Sequence, residues 1–307
     1  MRDLDELTSW YADWSSLRVA VLGLGATGFA AADTLTELRC AVLVVAAEAD
    51  EERIDLLSVI GARYSPQSDR EVIPPDLASF DPELIVVSPG YAPDHPLVAW
   101  AREGGIPIWG DVELAWRLRD KVAPPAHWNL IAGSSGVEMT SLLAAHLLVG
   151  GGRRYVVAGS VGMLALDAVR DPVGFDGLIV ALSPAQLQWI TRSGPGALRP
   201  EVSVCLTVDP ASDLPQEVFG RVYENTAIAC VYNHADEATM HLVEDAGRAL
   251  RYGAGTGAQA FSWQGDARLQ FSRKWPRWKV PDSMVNRRPE LAPYSVANGG
   301  MAPGPGN

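Results

Sequence analysis

The sequence predicts an α/β protein built from two successive parallel-sheet units. Three observations predict it. Short apolar runs of strand length recur along the chain and alternate with helical segments of about a dozen residues. Two glycine-bearing loops, Gly23-Leu24-Gly25-Ala26-Thr27-Gly28 and Gly133-Ser134-Ser135-Gly136, each stand between such a run and a helical segment. A proline-rich break, Ala123-Pro124-Pro125-Ala126-His127-Trp128, separates the two series.

Taken in order, residues 18–23 (RVAVLG) are an apolar run closed by glycine, and a helical segment follows from Ala26 to Leu38. Further strand candidates are 40–45 (CAVLVV), 84–90 (LIVVSPG) and 106–110 (IPIWG). After the break, 129–133 (NLIAG) is a strand and Thr140 to Val149 a helix. Strands at 155–159, 178–183, 201–208 and 227–233 continue the series, each closed by a glycine or polar turn, as in doubly wound sheets. From about Gly247 the pattern weakens, and 253–280 is expected to supply two or three edge strands. The end, NGGMAPGPGN, has the glycine and proline density of a flexible tail. The expected organisation is a Rossmann-like unit over 1–122, a P-loop-like unit over 123–280 and a tail over 281–307.

Bulk properties narrow the function classes. Hydrophobic residues make up 48% and charged residues 20%, as in an ordinary globular protein. The net charge of -12, from 25 basic and 37 acidic residues, argues against a nucleic-acid or anionic-membrane surface. It leaves room for a phosphate held by backbone N–H groups at a helix start. No run approaches the ~20 apolar residues of a membrane helix. The acidic start MRDLDELTSWYADW lacks the basic and apolar regions of a secretory signal. Cys40, Cys205 and Cys230 show no paired spacing, so buried, reduced thiols in a cytoplasmic protein are expected.

The loop Gly23–Gly28 has the G-x-G-x-x-G spacing that lets a backbone turn tightly and approach a pyrophosphate. A dinucleotide enzyme would carry an acid at the end of the second strand. That place reads Val45-Ala46-Ala47, with Glu48 and Asp50 just beyond. A glycine turn that only packs strand on helix is the alternative. Ser88-Pro89-Gly90, followed by Tyr91-Ala92-Pro93-Asp94-His95-Pro96, lies where α/β sheets bind ligands, at the carboxyl end of a strand. His95 there reads as a turn residue.

Residues 84–118 (LIVVSPGYAPDHPLVAWAREGGIPIWGDVELAWRL) carry a Ser-Pro-Gly loop, a following His-Pro and a Gly-Asp-x-Glu-Leu helix start. Together with VLGLGATG they resemble the Mur ligases of the UDP-N-acetylmuramoyl-L-alanine:D-glutamate type, and the resemblance extends from residue 18 to about 245. It implies that the first unit binds the uridine diphosphate of a muramyl substrate. Ala26, Thr27, Gly28, Ser88 and Gly90 would line that pocket, and Ser160 would stand at a further substrate contact. The family's acid after the second strand is replaced by Ala46, with Glu48 as its nearest substitute.

The same resemblance implies an ATP site with Mg²⁺ in the second unit, and the residues depart from it. The family's loop reads G-T-N-G-K-T-T-T, and this chain reads Gly133-Ser134-Ser135-Gly136-Val137-Glu138-Met139-Thr140. Val137 replaces the lysine that reaches the β- and γ-phosphates, and Glu138 puts an acid beside them. Two unit charges ~4 Å apart repel by ~4 kcal/mol at an effective dielectric of 20. Ser160 replaces an asparagine and Ala181 a metal-binding glutamate, while Leu182, Ser183, Gln186 and Leu187 remain. The family's D-H-L-D segment is missing before Arg221-Val222-Tyr223-Glu224-Asn225-Thr226, Phe219 falls where a lysine would, and Asp209 and Asp213 read as loop acids. The family's C-terminal domain is expected to be absent. No metal site and no catalytic set is expected, and no bound cofactor.

The leading expectation is therefore a Mur ligase homologue without ligase activity, a nucleotide-sugar-binding, regulatory or scaffold protein. Its expected partners are a UDP-muramyl-type or other nucleotide ligand and a protein, with no nucleic acid and no membrane. Two alternatives stay open: a working ligase or transferase with altered activation chemistry, and a structural interaction protein without a small ligand. His127, His146, His234 and His241 read as scattered surface residues. The basic, tryptophan-bearing stretch 272–279 (SRKWPRWK) reads either as an edge strand or as an anion patch.

Overall fold

A computed structural model describes residues 3–47, 49–212, 214–233, 236–243, 259–264 and 268–271. Residues 18–110 form a five-stranded parallel sheet. Its elements are β1 (Arg18–Leu22), α1 (Ala26–Glu37), β2 (Ala41–Ala46), α2 (Glu51–Ile60), β3 (Arg63–Pro66), α3 (Pro75–Phe80), β4 (Leu84–Val87), α4 (Pro96–Glu103) and β5 (Ile108–Gly110). The strand order is β3-β2-β1-β4-β5, so the winding direction reverses between β1 and β4. Such a reversal opens a crevice at the carboxyl ends of the two central strands. β1, β2 and β4 are buried almost throughout, as expected of parallel strands covered on both faces. β3 was not anticipated: it has four residues, RYSP, with neither an apolar run nor clean alternation.

The second sheet follows helix α5 (Asp111–Arg117). It comprises β6 (His127–Ala132), α6 (Val137–Gly150), β7 (Tyr155–Gly159), α7 (Ala165–Arg170), β8 (Gly177–Ala181), α8 (Pro184–Leu187), β9 (Val202–Cys205), α9 (Gln216–Gly220), β10 (Ala229–Asn233), β11 (Gln259–Gln264) and β12 (Arg268–Phe271). The order is β12-β11-β10-β9-β6-β8-β7. All neighbours are parallel except the edge pair β11 and β12. The expected edge strands are thus present. Several anticipated strands are shorter than their apolar runs, because the chain turns away at the carboxyl end: β4 stops at Val87, before Ser-Pro-Gly, and β9 at Cys205. Helix α6 begins at Val137 rather than Thr140, because Gly136 turns the chain at φ +78° and the helix starts directly after it.

The two sheets are joined by more than the covalent connection. Trp189, in the segment that follows β8, is buried in the core of the first sheet with Leu22, Val45, Val87 and Leu97. Its ring lies against Gly110, where any Cβ would stand 2.8 Å from the Trp189 Cβ. Trp189 Nε1 donates to the Tyr91 carbonyl at 3.1 Å. Beside it, buried Asp111 accepts from Gln186 Nε2 at 2.9 Å, and Gln186 completes a capping box with Ser183. Buried Glu113 pairs with Arg117 at 3.0 Å and accepts from the Thr191 hydroxyl. The Arg117 guanidinium also stacks 3.8 Å from the Trp109 ring and donates to the Leu4 and Leu7 carbonyls. Asp111 and Glu113, the acids of the Gly-Asp-x-Glu-Leu segment, therefore hold the two halves together.

Cys40, Cys205 and Cys230 are buried, as expected, and no disulfide occurs among the described residues. Burial pushes the Cys205 and Cys230 thiols up to about 12. No helix among the described residues is long and apolar enough to cross a membrane.

Candidate functional site

The glycine turn after β1 is held by backbone. Gly23 N donates to the Val45 carbonyl at 2.8 Å, and Ser88 N donates to the Leu22 carbonyl at 2.9 Å. Gly23 has φ +101°, a conformation side chains resist. A Cβ on Gly28 would stand 2.0 Å from the Gly23 carbonyl oxygen. The third glycine of the motif thus permits close packing of helix on turn. The Ser88 hydroxyl is enclosed between these two glycines, buried and without a hydrogen-bond partner among the described residues. Arg53 fixes the far side of the turn by donating to the Leu24 carbonyl at 3.0 Å.

Above this turn the carboxyl ends of β1 to β4 enclose a cleft of about 430 Å³. Its walls are Gly23 and Leu24, Ala46 and Ala47 from the end of β2, Gln67 and Arg70 after β3, and Gly90, Tyr91, Ala92 and His95 after β4. Helix α1 starts at its edge with Gly25 as N-cap, no side-chain cap and no acid in the first turn. Its free N–H groups and dipole favour an anion. Of the residues expected to line a UDP pocket, Gly90 forms part of the wall, Ala26 and Thr27 open helix α1, and Gly28 and Ser88 pack in the turn beneath it. Ala46 ends β2 buried, its carbonyl accepting from Gln67 N at 2.9 Å and from the Tyr64 hydroxyl at 3.2 Å. Glu48 lies outside the described residues.

His95 is more than a turn residue. Its Nδ1 accepts from Leu97 N at 3.2 Å, which caps α4, and its ring meets Tyr91 edge-on at 4.7 Å. Burial and the nearby Arg70 charge lower its pKa below the ordinary value, against smaller opposing effects of Glu71 and Asp94. Near neutral pH the ring is uncharged, and its Nδ1 acceptor role puts the proton on Nε2. Burial raises the pKa of the Tyr91 hydroxyl, which donates to the Val45 carbonyl at 3.4 Å. Gln67 and Arg70 were not foreseen. They follow an unrecognised strand and belong to no motif.

The second glycine loop lies at the carboxyl end of the other sheet. Ser134 N donates to the Thr207 carbonyl at 2.9 Å, and the Ser134 hydroxyl accepts from Asp209 N at 2.7 Å. The Ser135 and Thr207 hydroxyls share a hydrogen bond at 3.2 Å. Gly133, at φ +149°, packs against Leu206 and Thr207. The loop is thus closed onto the segment after β9. No basic residue occurs from Gly133 to Thr140, and Glu138 is exposed in the first turn of α6. Ser160 is exposed after β7, with its N–H and hydroxyl both donating to the Ala181 carbonyl at 2.9 and 3.1 Å. Ala181 is fully buried in β8. Asp209 accepts from Ala211 N at 2.8 Å in its own loop, and Phe219 is fully buried in α9. No group of three or more His, Cys, Asp or Glu able to hold a metal occurs among the described residues. His127 pairs with Glu201 at 2.5 Å, and exposed His241 stands 3.6 Å from Glu237. Asp213, His234, the stretch 272–279 and the tail 281–307 lie outside the described residues.

No family model matches the chain. Individual curated proteins are similar to it. The chain is 51% identical over 255 residues to the UDP-N-acetylmuramoylalanine–D-glutamate ligase of Leifsonia xyli subsp. xyli, covering 79% of this chain and 49% of that protein. It is 43% identical over 253 residues to the ligase of the same name from Tropheryma whipplei, covering 80% and 52%. For Streptomyces avermitilis the identity is 36% over 260 residues, covering 80% and 53%. The chain spans about half the length of the curated relatives it matches. Over that half, with its two glycine loops and parallel sheets in place, the chain belongs to the Mur ligase family, beside the UDP-N-acetylmuramoylalanine–D-glutamate ligases.

Proposed function

We propose that this chain serves peptidoglycan precursor metabolism in the cytoplasm by holding a UDP-muramyl-type nucleotide sugar in the first-sheet cleft, without ATP-driven ligation of an amino acid. It acts as a binding, regulatory or scaffold protein and engages a protein partner. The contrast between its two helix starts carries this reading. Helix α1 opens beside a cleft with an uncapped, acid-free first turn. Helix α6 opens with Glu138 in its first turn and no cation in the loop before it. A helix start favours an anion through its dipole, and Glu138 already supplies one.

ATP and Mg²⁺ do not fit the second loop. The Ser134 hydroxyl holds the Asp209 amide, the loop from Gly133 to Thr140 carries no lysine to offset phosphate charge, and Ala181 offers no carboxylate at the end of β8. Magnesium sites rely on oxygen ligands of that kind.

Titration calorimetry of the purified chain with UDP-N-acetylmuramoylalanine and, separately, with Mg-ATP tests the proposal. Binding of the nucleotide sugar with no heat from ATP is the expected result. Phosphate release from ATP that depends on D-glutamate would refute it.

A further inference from the structure

The cleft poses an electrostatic problem that the glycine turn does not solve alone. The chain carries a net charge of -12, so an anionic ligand approaches against the mean field. The end of β2 brings only Ala46 and Ala47 to the wall. The loop after β3, which is β2's neighbour in the sheet, brings Arg70, the one residue among those lining the cleft with a permanent positive charge. Arg70 is exposed, and no carboxylate pairs with it among the described residues. Its loop is anchored by buried Gln67, whose Nε2 donates to the Arg70 carbonyl at 3.1 Å. Across the cleft, His95 has Nδ1 committed to the Leu97 amide, which leaves Nε2–H as a donor.

We propose that Arg70 and His95 are the side chains that grip the pyrophosphate of a nucleoside diphosphate ligand in this cleft, and that the loop after β3 takes over ligand recognition from the end of β2. A guanidinium offers a planar fork of N–H donors to phosphate oxygens, and neutral imidazole adds one more. The assignment rests on the nucleotide-sugar reading of the cleft, and its test separates the two.

The parent chain and the variants Arg70→Gln, Arg70→Lys and His95→Asn are titrated by calorimetry with UDP, inorganic pyrophosphate, uridine and UDP-N-acetylmuramoylalanine. Asparagine keeps an acceptor at the cap of α4 and lacks the Nε2–H. Arg70→Gln is expected to weaken UDP and pyrophosphate about 10- to 100-fold and to leave uridine unchanged. Arg70→Lys restores part of the loss, and His95→Asn weakens UDP about threefold to tenfold. A circular dichroism melt like the parent's shows that each variant is folded. Should Arg70→Gln bind UDP and pyrophosphate as tightly as the parent, the assignment falls while the nucleotide-sugar reading stands. A parent that binds UDP and pyrophosphate through Arg70 but not the muramyl nucleotide keeps the assignment and overturns the reading. A parent that binds none of the four overturns both.

Discussion

Replacing Asp111 with asparagine is expected to flatten part of the pH dependence of stability. Asp111 is buried at the start of α5, with its carboxylate accepting from Gln186 Nε2 at 2.9 Å. Burial pushes its pKa from 3.8 up to about 6, against the lowering effects of Gln186 and of the Val112 and Asp111 backbone N–H groups. The folded protein therefore holds this proton more tightly than the unfolded chain does. The resulting stabilisation is complete below about pH 4 and disappears as the pH rises through 6. A difference of roughly two pKa units corresponds to about 3 kcal/mol, of which ~1.4 kcal/mol falls between about pH 5 and pH 7.5. Asparagine does not titrate. Its amide also sets donor against donor at the α5 backbone, which adds an offset that is the same at every pH. Urea unfolding of parent and variant, followed by tryptophan fluorescence at the two pH values, isolates the titration. The variant should gain ~1.4 kcal/mol relative to the parent on going from pH 5 to pH 7.5. A parent–variant difference that stays constant over that interval would refute the argument.

The remaining predictions use the same measurements. Gly28→Ala, whose Cβ would meet the Gly23 carbonyl at 2.0 Å, should lose more than about 2 kcal/mol of stability. Gly25→Ala has nothing within 4 Å of its Cβ, and its melting temperature should stay near the parent's. Trp189→Phe leaves the Tyr91 carbonyl without its partner and opens a gap beside Gly110. It should cost about 1–3 kcal/mol in thermal unfolding and weaken UDP binding in calorimetry. Glu138→Lys reverses a favourable charge at the start of α6 and should destabilise by about 0.5–1 kcal/mol at low ionic strength, an effect that added salt removes.

Much of this architecture was legible because it is local. An apolar run, a glycine turn and a helix within twenty residues carry their own signal, and β1 with α1 or β6 with α6 could be read that way. β3 escaped because an edge strand of four residues containing proline shows no period. Losing that strand also hid the loop after it, so Gln67 and Arg70 went unnoticed although they form one wall of the cleft. The pairings across the chain were equally invisible. Asp111 meets Gln186 from 75 positions away, and Ser134 meets the Asp209 amide from the same distance in sequence. Only folding reveals such partners. His95 could be placed in a turn from the prolines around it, yet its cap role depends on where Pro96 starts α4.

Trp189 also bears on how the chain can be divided. The proline-rich break near Pro124 separates two series of strands along the sequence, but the core of the first sheet contains an aromatic ring supplied from beyond it. A cut there would leave one half with a vacancy of indole size and the other with an exposed aromatic. Chimaeras that splice the first half of one relative onto the second half of another must therefore transfer Gly110, the Tyr91 turn and Trp189 as a matched set. The halves are separate in topology and interlocked in their packing, so they have to be engineered as one unit.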